Sequence, residues 1–540
     1  MLDRLNAFYP VRYTAMAVCV FLFAISLLAA LTGHPAGWWS ALVFGGLCWI
    51  GWWDMRQTRK SVLRNYPIIG HLRYMLEKIR PEIRQYFLES DTEATPFSRS
   101  QRTVVYARAK GQTDKRPFGT QLDVHKDGYE WLNHSINTTS LESHDFRVTI
   151  GGPDCRQPYS ASVFNISAMS FGALSARAVE ALNSGAKKGG FAHDTGEGAI
   201  STWHRVHGGD LIWEIGSGYF GCRDDEGRFN PERFKANAAD PQVKMIEVKL
   251  SQGAKPGHGG MLPGAKVTPE VAEARGVPVG KDCISPSSHS AFSTPRELME
   301  FMAQLRELSG GKPVGFKLCI GHPWEWFAIV KAMQTTGITP DFIVVDGSEG
   351  GTGAAPLEFT DHIGMPLQEG LRMVHNTLVG VNLRDRIRIG CAGKIVTAFD
   401  IARAMALGAD WCNSARGFMF ALGCIQAQAC HTGHCPTGVT TQDPLRQQAL
   451  IVPDKSQRVF QFHQNTLKAL QELIQAAGLH HPGDIGTHHI MRRVSENEVR
   501  PLATLLPEVP SGALLRKTEG LPAAYAVYWK LASDERFSMN

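Results

Sequence analysis

The stretch VGFKLCIGHPWEWFAIVKAMQTTGITPDFIVVDGSEGGTG, residues 314–353, decides the fold. Val314–Cys319 and Phe342–Asp346 are short, apolar and rich in β-branched residues, and read as strands. Between them Trp324–Thr336 has the apolar spacing of a helix. A strand, a helix and a second strand in so short a run make a parallel crossover unit. The unit ends in Asp346-Gly347-Ser348-Glu349-Gly350-Gly351-Thr352-Gly353, a charged glycine loop at the end of a strand.

The alternation repeats on both sides. Further candidate strands are Ser162–Ala168, Gly190–Asp194, Met245–Leu250, Asp282–Ser285, Ile387–Gly390 and Trp411–Ser414. Leu211–Tyr219 also reads as a strand and competes with Met245–Leu250. Helix patterns fall at Ala176–Lys188, Thr294–Leu308 and Phe399–Leu407. Eight strands over roughly 250 residues fit a (β/α)₈ TIM barrel. An open doubly wound sheet is the alternative. No GxGxxG follows a strand and opens a helix, so a dinucleotide Rossmann site has no support. A long helix pattern, Gln457–Ala477, follows the strands.

Active sites of such barrels lie in the loops after the strands. Four of these loops stand out: Met169-Ser170-Phe171-Gly172-Ala173-Leu174-Ser175, His193-Asp194-Thr195-Gly196-Glu197-Gly198, the stretch from Gln252 to Gly260, and the loop after Asp346. Each alone is compatible with a turn. Four glycine-containing loops after candidate strands, three of them charged, mark a site where backbone approaches a ligand closely.

Two apolar stretches open the chain, Thr14–Leu31 and about Gly37–Trp53, joined by His34-Pro35-Ala36. Each is close to the length that spans a bilayer as a helix. Trp38, Trp39, Trp49, Trp52 and Trp53 cluster at the ends of the second. Arg4 and Arg12 precede the pair, Arg56, Arg59, Lys60 and Arg64 follow it, and the turn has no Lys or Arg. The positive-inside rule then puts both ends, and the barrel, on the cytoplasmic side of a cytoplasmic membrane, as a multi-pass protein. A signal peptide is the alternative, but the first stretch is long for one and a second follows at once. Pro67–Phe87 mixes apolar and basic residues, and reads either as a surface-lying helix or as a linker.

At 540 residues the chain exceeds one small domain, and its 54 glycines suit a phosphate-bearing cofactor. The 56 Lys and Arg against 51 Asp and Glu do not suggest nucleic acid. Of 11 cysteines most lie singly in apolar runs and read as buried thiols. Cys424, Cys430 and Cys435 form a C-x₅-C-x₄-C run followed by Pro436. Thiolates so placed bind an iron–sulfur cluster, and Cys-Pro endings recur in such runs. Zinc is the rival, with His431 or His434 as a fourth ligand.

The ordered series ISAMSFGALS, HDTGEG, KLSQGAKPGHGGMLPGAKV, CISPSSH, DGSEGGTGAAP and CHTGHCPTGVTTQ resembles the synthase domain of glutamate synthase, which binds FMN and 2-oxoglutarate. It is most similar to the membrane-anchored, stand-alone proteins of the FMN-binding glutamate synthase family, over about residues 150–480. The resemblance implies FMN and a [3Fe–4S] cluster, the latter on Cys424, Cys430 and Cys435. It assigns the flavin to Met169, Ser170, Gln252, Lys317, Gly350 and Gly351, and its phosphate to the loops with Gly393 and with Arg416 and Gly417. Lys317 in an apolar strand must be paired, and a salt bridge inside the barrel is its alternative role. The resemblance assigns the dicarboxylate to Glu197, Lys255 and Arg275. It also implies domains at 1–60 (transmembrane hairpin), 61–150 (linker and N-terminal extension), 151–423 (barrel), 424–480 (iron–sulfur motif and helix) and 481–540 (tail).

Three departures stand out. The family's glutamine after GEGG is Met261, the preceding Glu is His258, and an Asn is Gly433. The first two question 2-oxoglutarate as substrate. Leu2 follows Met1, no stretch holds a glutaminase, and no NADPH-binding domain is visible. The amine donor is therefore expected from solution or from a separate glutaminase, and electrons from ferredoxin or a reductase. The expected activity is reduction of a 2-imino acid to an L-amino acid such as glutamate. Alternatives are an oxidoreductase for another amine or 2-oxo or 2-hydroxy acid, and a membrane-tethered redox relay.

Overall fold

The computed structural model describes residues 10–93, 95–257, 259–516 and 518–539. His258, singled out above, lies outside them. The chain forms two compact units, Met1–Ala94 and Thr95–Asn540.

In the first unit, helices Thr14–Leu31 and Pro35–Arg56 run antiparallel. Glycines let them touch. A Cβ on Gly37 would stand 2.4 Å from the Ala30 nitrogen, and one on Gly51 would stand 2.4 Å from the Met16 sulfur. Pro35 occupies the first turn of its helix, where its missing N–H costs nothing. By length and apolarity one helix, Val11–Leu31, passes for a membrane span. Asp54, 1% exposed, accepts from the Ile68 N–H at 2.9 Å and meets His71 Nε2 at 2.8 Å, which fixes the start of helix Gly70–Ile83. Leu72, Met75, Leu76 and Ile79 form an exposed apolar stripe on that helix.

In the second unit eight parallel strands close into a barrel. They are β1 (Phe164–Ile166), β2 (His193–Asp194), β3 (Leu211–Ile215), β4 (Val243–Lys249), β5 (Val314–Leu318), β6 (Phe342–Asp346), β7 (Arg388–Ala392) and β8 (Trp411–Ser414), and β8 pairs with β1. One expected strand is corrected. Asp282–Ser285 is no barrel strand: Cys283–Ile284 pairs antiparallel with Met261–Leu262 in a separate ribbon. Leu211–Ile215 takes the vacant place, alongside rather than instead of Val243–Lys249. The reason is burial. A barrel strand covered by helices is buried on both faces. All of β3 is buried, whereas Ile284 is 70% exposed.

Helices Ala176–Gly189, Pro295–Leu308, Pro323–Thr336, Leu367–Gly380 and Ala398–Ala406 follow strands as crossovers. Local chemistry sets their starts. Thr294 accepts the Glu297 N–H at 3.2 Å while the Glu297 carboxylate accepts the Thr294 N–H at 3.1 Å, a reciprocal cap. The C-terminal helix, Val452–Ala476, begins before the expected Gln457 because Pro453 is tolerated in its first turn. It packs on Ala176–Gly189, with Gly185 facing Val459.

The barrel interior is layered. At its N-terminal end Ile212, Met245, Phe342, Val344 and Trp411 pack with Ile150, Tyr159 and Ala161 of the hairpin Arg147–Ile150/Tyr159–Ser162. This apolar floor confines polar side chains to the levels above. It is tight: a Cβ on Gly390 of β7 would stand 2.4 Å from the indole of Trp411 on β8. Gly390→Ala is therefore expected to cost about 1–3 kcal/mol by overpacking. Trp411→Phe in the same chain is expected to recover part of the loss. Chemical denaturation midpoints measure both, and an unchanged midpoint for the single variant would show spare room in the floor.

Candidate active site

The loops after β1, β2, β4 and β6 meet at the C-terminal rim, and glycine lets them meet. The Gly253 N–H donates to Asp346 Oδ2 at 2.8 Å, and a Cβ on Gly253 would lie 1.9 Å from the Gly347 carbonyl oxygen. No larger side chain fits between these loops. Gly196 has φ +65°, and its Cβ would lie 2.6 Å from the Ser170 nitrogen. The HDTGEG loop is thereby clamped onto buried Met169 and on Ser170.

A pocket open to solvent lies at this rim, with Glu197, Ser217, Lys249, Gln252, Gly259 and Gly260 in its wall. The Glu197 carboxylate is wedged between two glycines: a Cβ on Gly216 or Gly260 would come within 2.9 or 2.5 Å of its oxygens. Lys249 Nζ pairs with Glu197 Oε1 at 3.1 Å. Lys255 and Arg275 are 8% and 5% exposed. Burial pushes the Glu197 carboxyl up, but the charge and hydrogen bond of Lys249, then the charges of Lys255 and Arg275, leave it net below its ordinary value. Burial lowers the Lys255 ammonium, partly offset by Glu197.

Arg275 Nη2 donates to the Phe171 carbonyl at 2.9 Å, and its guanidinium lies 5.2 Å from the Phe220 ring centroid. Its Nε is buried with no partner. The expected trio Glu197, Lys255 and Arg275 is thus brought into one field of charge. Lys249 completes that field and escapes a motif search. Its signal is the alternation of β4, which puts Met245, Glu247 and Lys249 on one face. His289 steadies Lys249: its Nε2 lies 2.8 Å from the Lys249 carbonyl and its Nδ1 3.0 Å from the Tyr219 hydroxyl. Burial lowers His289 to about 4, so it is neutral. Met261 is 54% exposed and stands outside the pocket wall.

Beneath the rim lies a charged layer that no motif announces. Lys317 of β5 hydrogen-bonds Glu214 of β3 and stands 3.4 Å from Glu247 of β4. The carboxylates of Asp194, Glu214 and Glu247 offer oxygens within 4.8 Å of one another, all buried. Lys317 is thus paired inside the barrel, as a lysine in an apolar strand must be.

On the far side of the rim Arg416 Nη2 donates to the Thr352 carbonyl at 2.6 Å, and a Cβ on Gly351 would lie 2.8 Å from Arg416 Nε. A Cβ on Gly350 would stand 3.1 Å from Asp346 Oδ1, and one on Gly417 2.5 Å from Ser414 Oγ. Gly393 lies against Leu367, whose N–H donates to Glu349 at 2.9 Å. The loops after β6, β7 and β8 are thus neighbours.

Cys424, Cys430 and Cys435 share one loop after helix Arg416–Leu422. Tyr106 OH donates to the Cys424 carbonyl at 2.6 Å, and buried Lys266 donates to the Cys430 carbonyl at 2.6 Å. Gln442 Nε2 donates to the Gly172 and Leu174 carbonyls at 2.9 Å each, tying this loop to the one after β1. Burial raises the Cys435 thiol, but hydrogen bonds from Thr437 and Thr440 bring it to about 7. The three sulfurs do not gather within 4.8 Å of one another.

Comparison with known proteins gives a consistent picture. Residues 129–480 match the model of the conserved region in glutamate synthase. The glutamate synthase large subunit-like protein YerD of Bacillus subtilis is 39% identical over 503 residues, 86% of this chain and 95% of that one. The archaeal glutamate synthase (NADPH) of Methanocaldococcus jannaschii is 34% identical over 335 residues, 62% of each chain. The chain thus spans less than two thirds of the archaeal protein. Among solved structures, the flavin-binding domain of baker's yeast flavocytochrome b2 aligns at 10% identity and a TM-score of 0.39, over 80% of this chain and 86% of that one. That adds nothing to the strand order.

Lys249→Met leaves Glu197 largely buried without its nearest cation, and is expected to cost about 3 kcal/mol at neutral pH. A lowered carboxyl pKa stabilises the fold above the unfolded value and loses that effect as pH falls through the folded one. The gap between wild type and variant should therefore close below about pH 4. Urea unfolding across pH measures it, and a gap constant with pH would sever Lys249 from Glu197.

Proposed function

Because the chain belongs to the glutamate synthase family, we propose that it is an FMN-dependent oxidoreductase that converts a 2-oxo acid and an amine, 2-oxoglutarate and ammonia, to an L-amino acid such as glutamate. The observation that carries this reading is the convergence of Lys249, Lys255 and Arg275 around Glu197 at the rim. Three cations with one fixed carboxylate suit a small dianion that also carries a nitrogen. Lys255 and the unpartnered Nε of Arg275 bind the substrate carboxylates. Glu197, held ionised, accepts an N–H from the imine and orients its carbon. The Phe220 ring beside Arg275 keeps that side dry.

FMN would be held by Met169, Ser170 and Gln252 on one side and by the neighbouring loops with Gly350, Gly351, Gly393, Arg416 and Gly417 on the other, where glycine leaves the backbone without side chains and Arg416 supplies a cation for the phosphate. FMN, when bound, supplies the two-electron reduction. Three thiols on one loop, one depressed to about 7, suit an iron–sulfur cluster of the [3Fe–4S] type on Cys424, Cys430 and Cys435. Electrons come from ferredoxin or a reductase, and ammonia from solution or a separate glutaminase. The helices of the first unit anchor the protein in the cytoplasmic membrane with the barrel on the cytoplasmic side.

Purified protein is expected to show a flavin spectrum, with FMN and about three irons per chain, the iron count being that of the proposed cluster. Cys435→Ser is expected to lose iron and keep FMN. Protein without flavin or iron overturns the reading. With reduced ferredoxin, ammonium and 2-oxoglutarate, glutamate should form. Lys255→Met should raise KM for the oxo acid about 10-fold or more, the size of one lost charged hydrogen bond. Equal KM would place the carboxylates elsewhere.

A further inference from the structure

The charged layer beneath the rim has no place in the account above, and its composition is unusual. Asp194, Glu214, Glu247 and Lys317 come from four adjacent strands, β2 to β5, and none is more than 4% exposed. An apolar floor lies below them and the Lys249–Glu197 pair above. Three carboxylates against one ammonium would leave two net negative charges in a sealed interior. Burying unpaired charge is prohibitive, so such groups neutralise instead. Both Glu247 oxygens are buried without a hydrogen-bond donor, and the Lys317 ammonium stands 3.4 Å off. A carboxylate so placed among carboxylates needs a proton.

We propose that Asp194, Glu214, Glu247 and Lys317 form a proton store beneath the active site, which holds an exchangeable proton between carboxylates and returns it through Lys249 to the substrate nitrogen beside Glu197. The proposal rests on the imine-reducing function above. That reaction takes two electrons and two protons: carbon receives both electrons and one proton as hydride from the reduced flavin, and nitrogen receives the other proton. Glu197, held ionised by its cations, has no proton in stock. Lys249 is the cation nearest Glu197, and it shares a strand face with Glu247, two residues before it. A Lys249 that gives its proton to the nitrogen is recharged from below, and the store refills by the same route in reverse, from the open pocket through Lys249.

Beyond these four, the charge of Asp346 on β6 reaches Lys317 and that of Lys249 on β4 reaches Asp346, while β1 and β8 carry buried Asn165 and Asn413. Burial first, then the charge of Glu214, raises Asp194 to about 7, with Lys317 opposing. Burial and the charge of Asp194 raise Glu247 further above its usual range. A raised carboxyl stabilises the fold below its unfolded pKa and loses that effect as pH rises through the folded one.

The experiment is an infrared pH titration of the full-length protein in H2O and D2O. A protonated-carboxyl band that shifts in D2O, persists at neutral pH, and is lost or moved in Glu247→Gln or Asp194→Asn supports the store. Should Glu247→Gln not fold, Asp194→Asn, the smaller change, reads the same band. In turnover, Asp194→Asn is expected to lower kcat about 10-fold at high pH with KM for the oxo acid unchanged, and to abolish the pH dependence near 7. Absence of the band at neutral pH, a band indifferent to both substitutions, or a stoichiometric divalent metal released by Glu247→Gln overturns the proposal. The infrared signal needs no turnover, so protein that makes no glutamate yet shows the band refutes the function and leaves the store standing.

Discussion

A lysine in the middle of a closed barrel has to be neutralised, and much of this structure follows from how Lys317 is. Its ammonium is shared by Glu214 and Glu247 from the two preceding strands, with Asp194 alongside. Ion pairing on this scale inside a protein contributes little net stability, because desolvation cancels most of the attraction. The apolar floor of Ile212, Met245, Phe342 and Trp411 is the stabilising part, and it confines the charges to the upper half of the barrel. What the charged layer provides is position. It fixes the height at which β3, β4 and β5 stand side by side, and with it the height of Lys249 at the rim.

The rim works by the opposite means, the removal of side chains. Gly253 and Gly347 touch backbone to backbone, Gly196 lies on Ser170, and Gly216 and Gly260 flank Glu197. Loops that approach this closely have little freedom left, so the charges they carry are held in place before any ligand arrives. Preorganised charge of this kind costs nothing at the moment of reaction. The cysteine loop joins the same scaffold through Lys266 and Gln442. The proposed electron entry is thereby tied to the loops that form the pocket and does not hang from a separate domain.

The N-terminal unit is built on another principle. Its helices meet through Gly37, Gly45 and Gly51, and a buried carboxylate, Asp54, sets the direction of the amphipathic helix that follows. Exposed Leu72, Met75, Leu76 and Ile79 beside Arg73, Lys78 and Arg80 give that helix an apolar stripe with a basic border. Both expected roles for this segment, a surface-lying helix and a linker, are compatible with that pattern.

Much was legible in the sequence alone. Short β-branched apolar runs alternating with helical ones pointed to a parallel sheet, and eight of them to a barrel, because strand composition and crossover length are local properties. Glycine-rich loops after strands marked the rim, Glu197, Lys255 and the three cysteines stood out within motifs, and the family resemblance added Arg275. Only the tertiary structure chose Leu211–Ile215 over Asp282–Ser285, since burial on both faces depends on what packs against a strand. It alone found Lys249 as the partner of Glu197, and set Asp194, Glu214, Glu247 and Lys317 at one height. Those residues are spread over more than a hundred positions and share no local pattern. Closure of the barrel fixes which strands are neighbours and how far each is shifted, and that register is a property of the whole sheet.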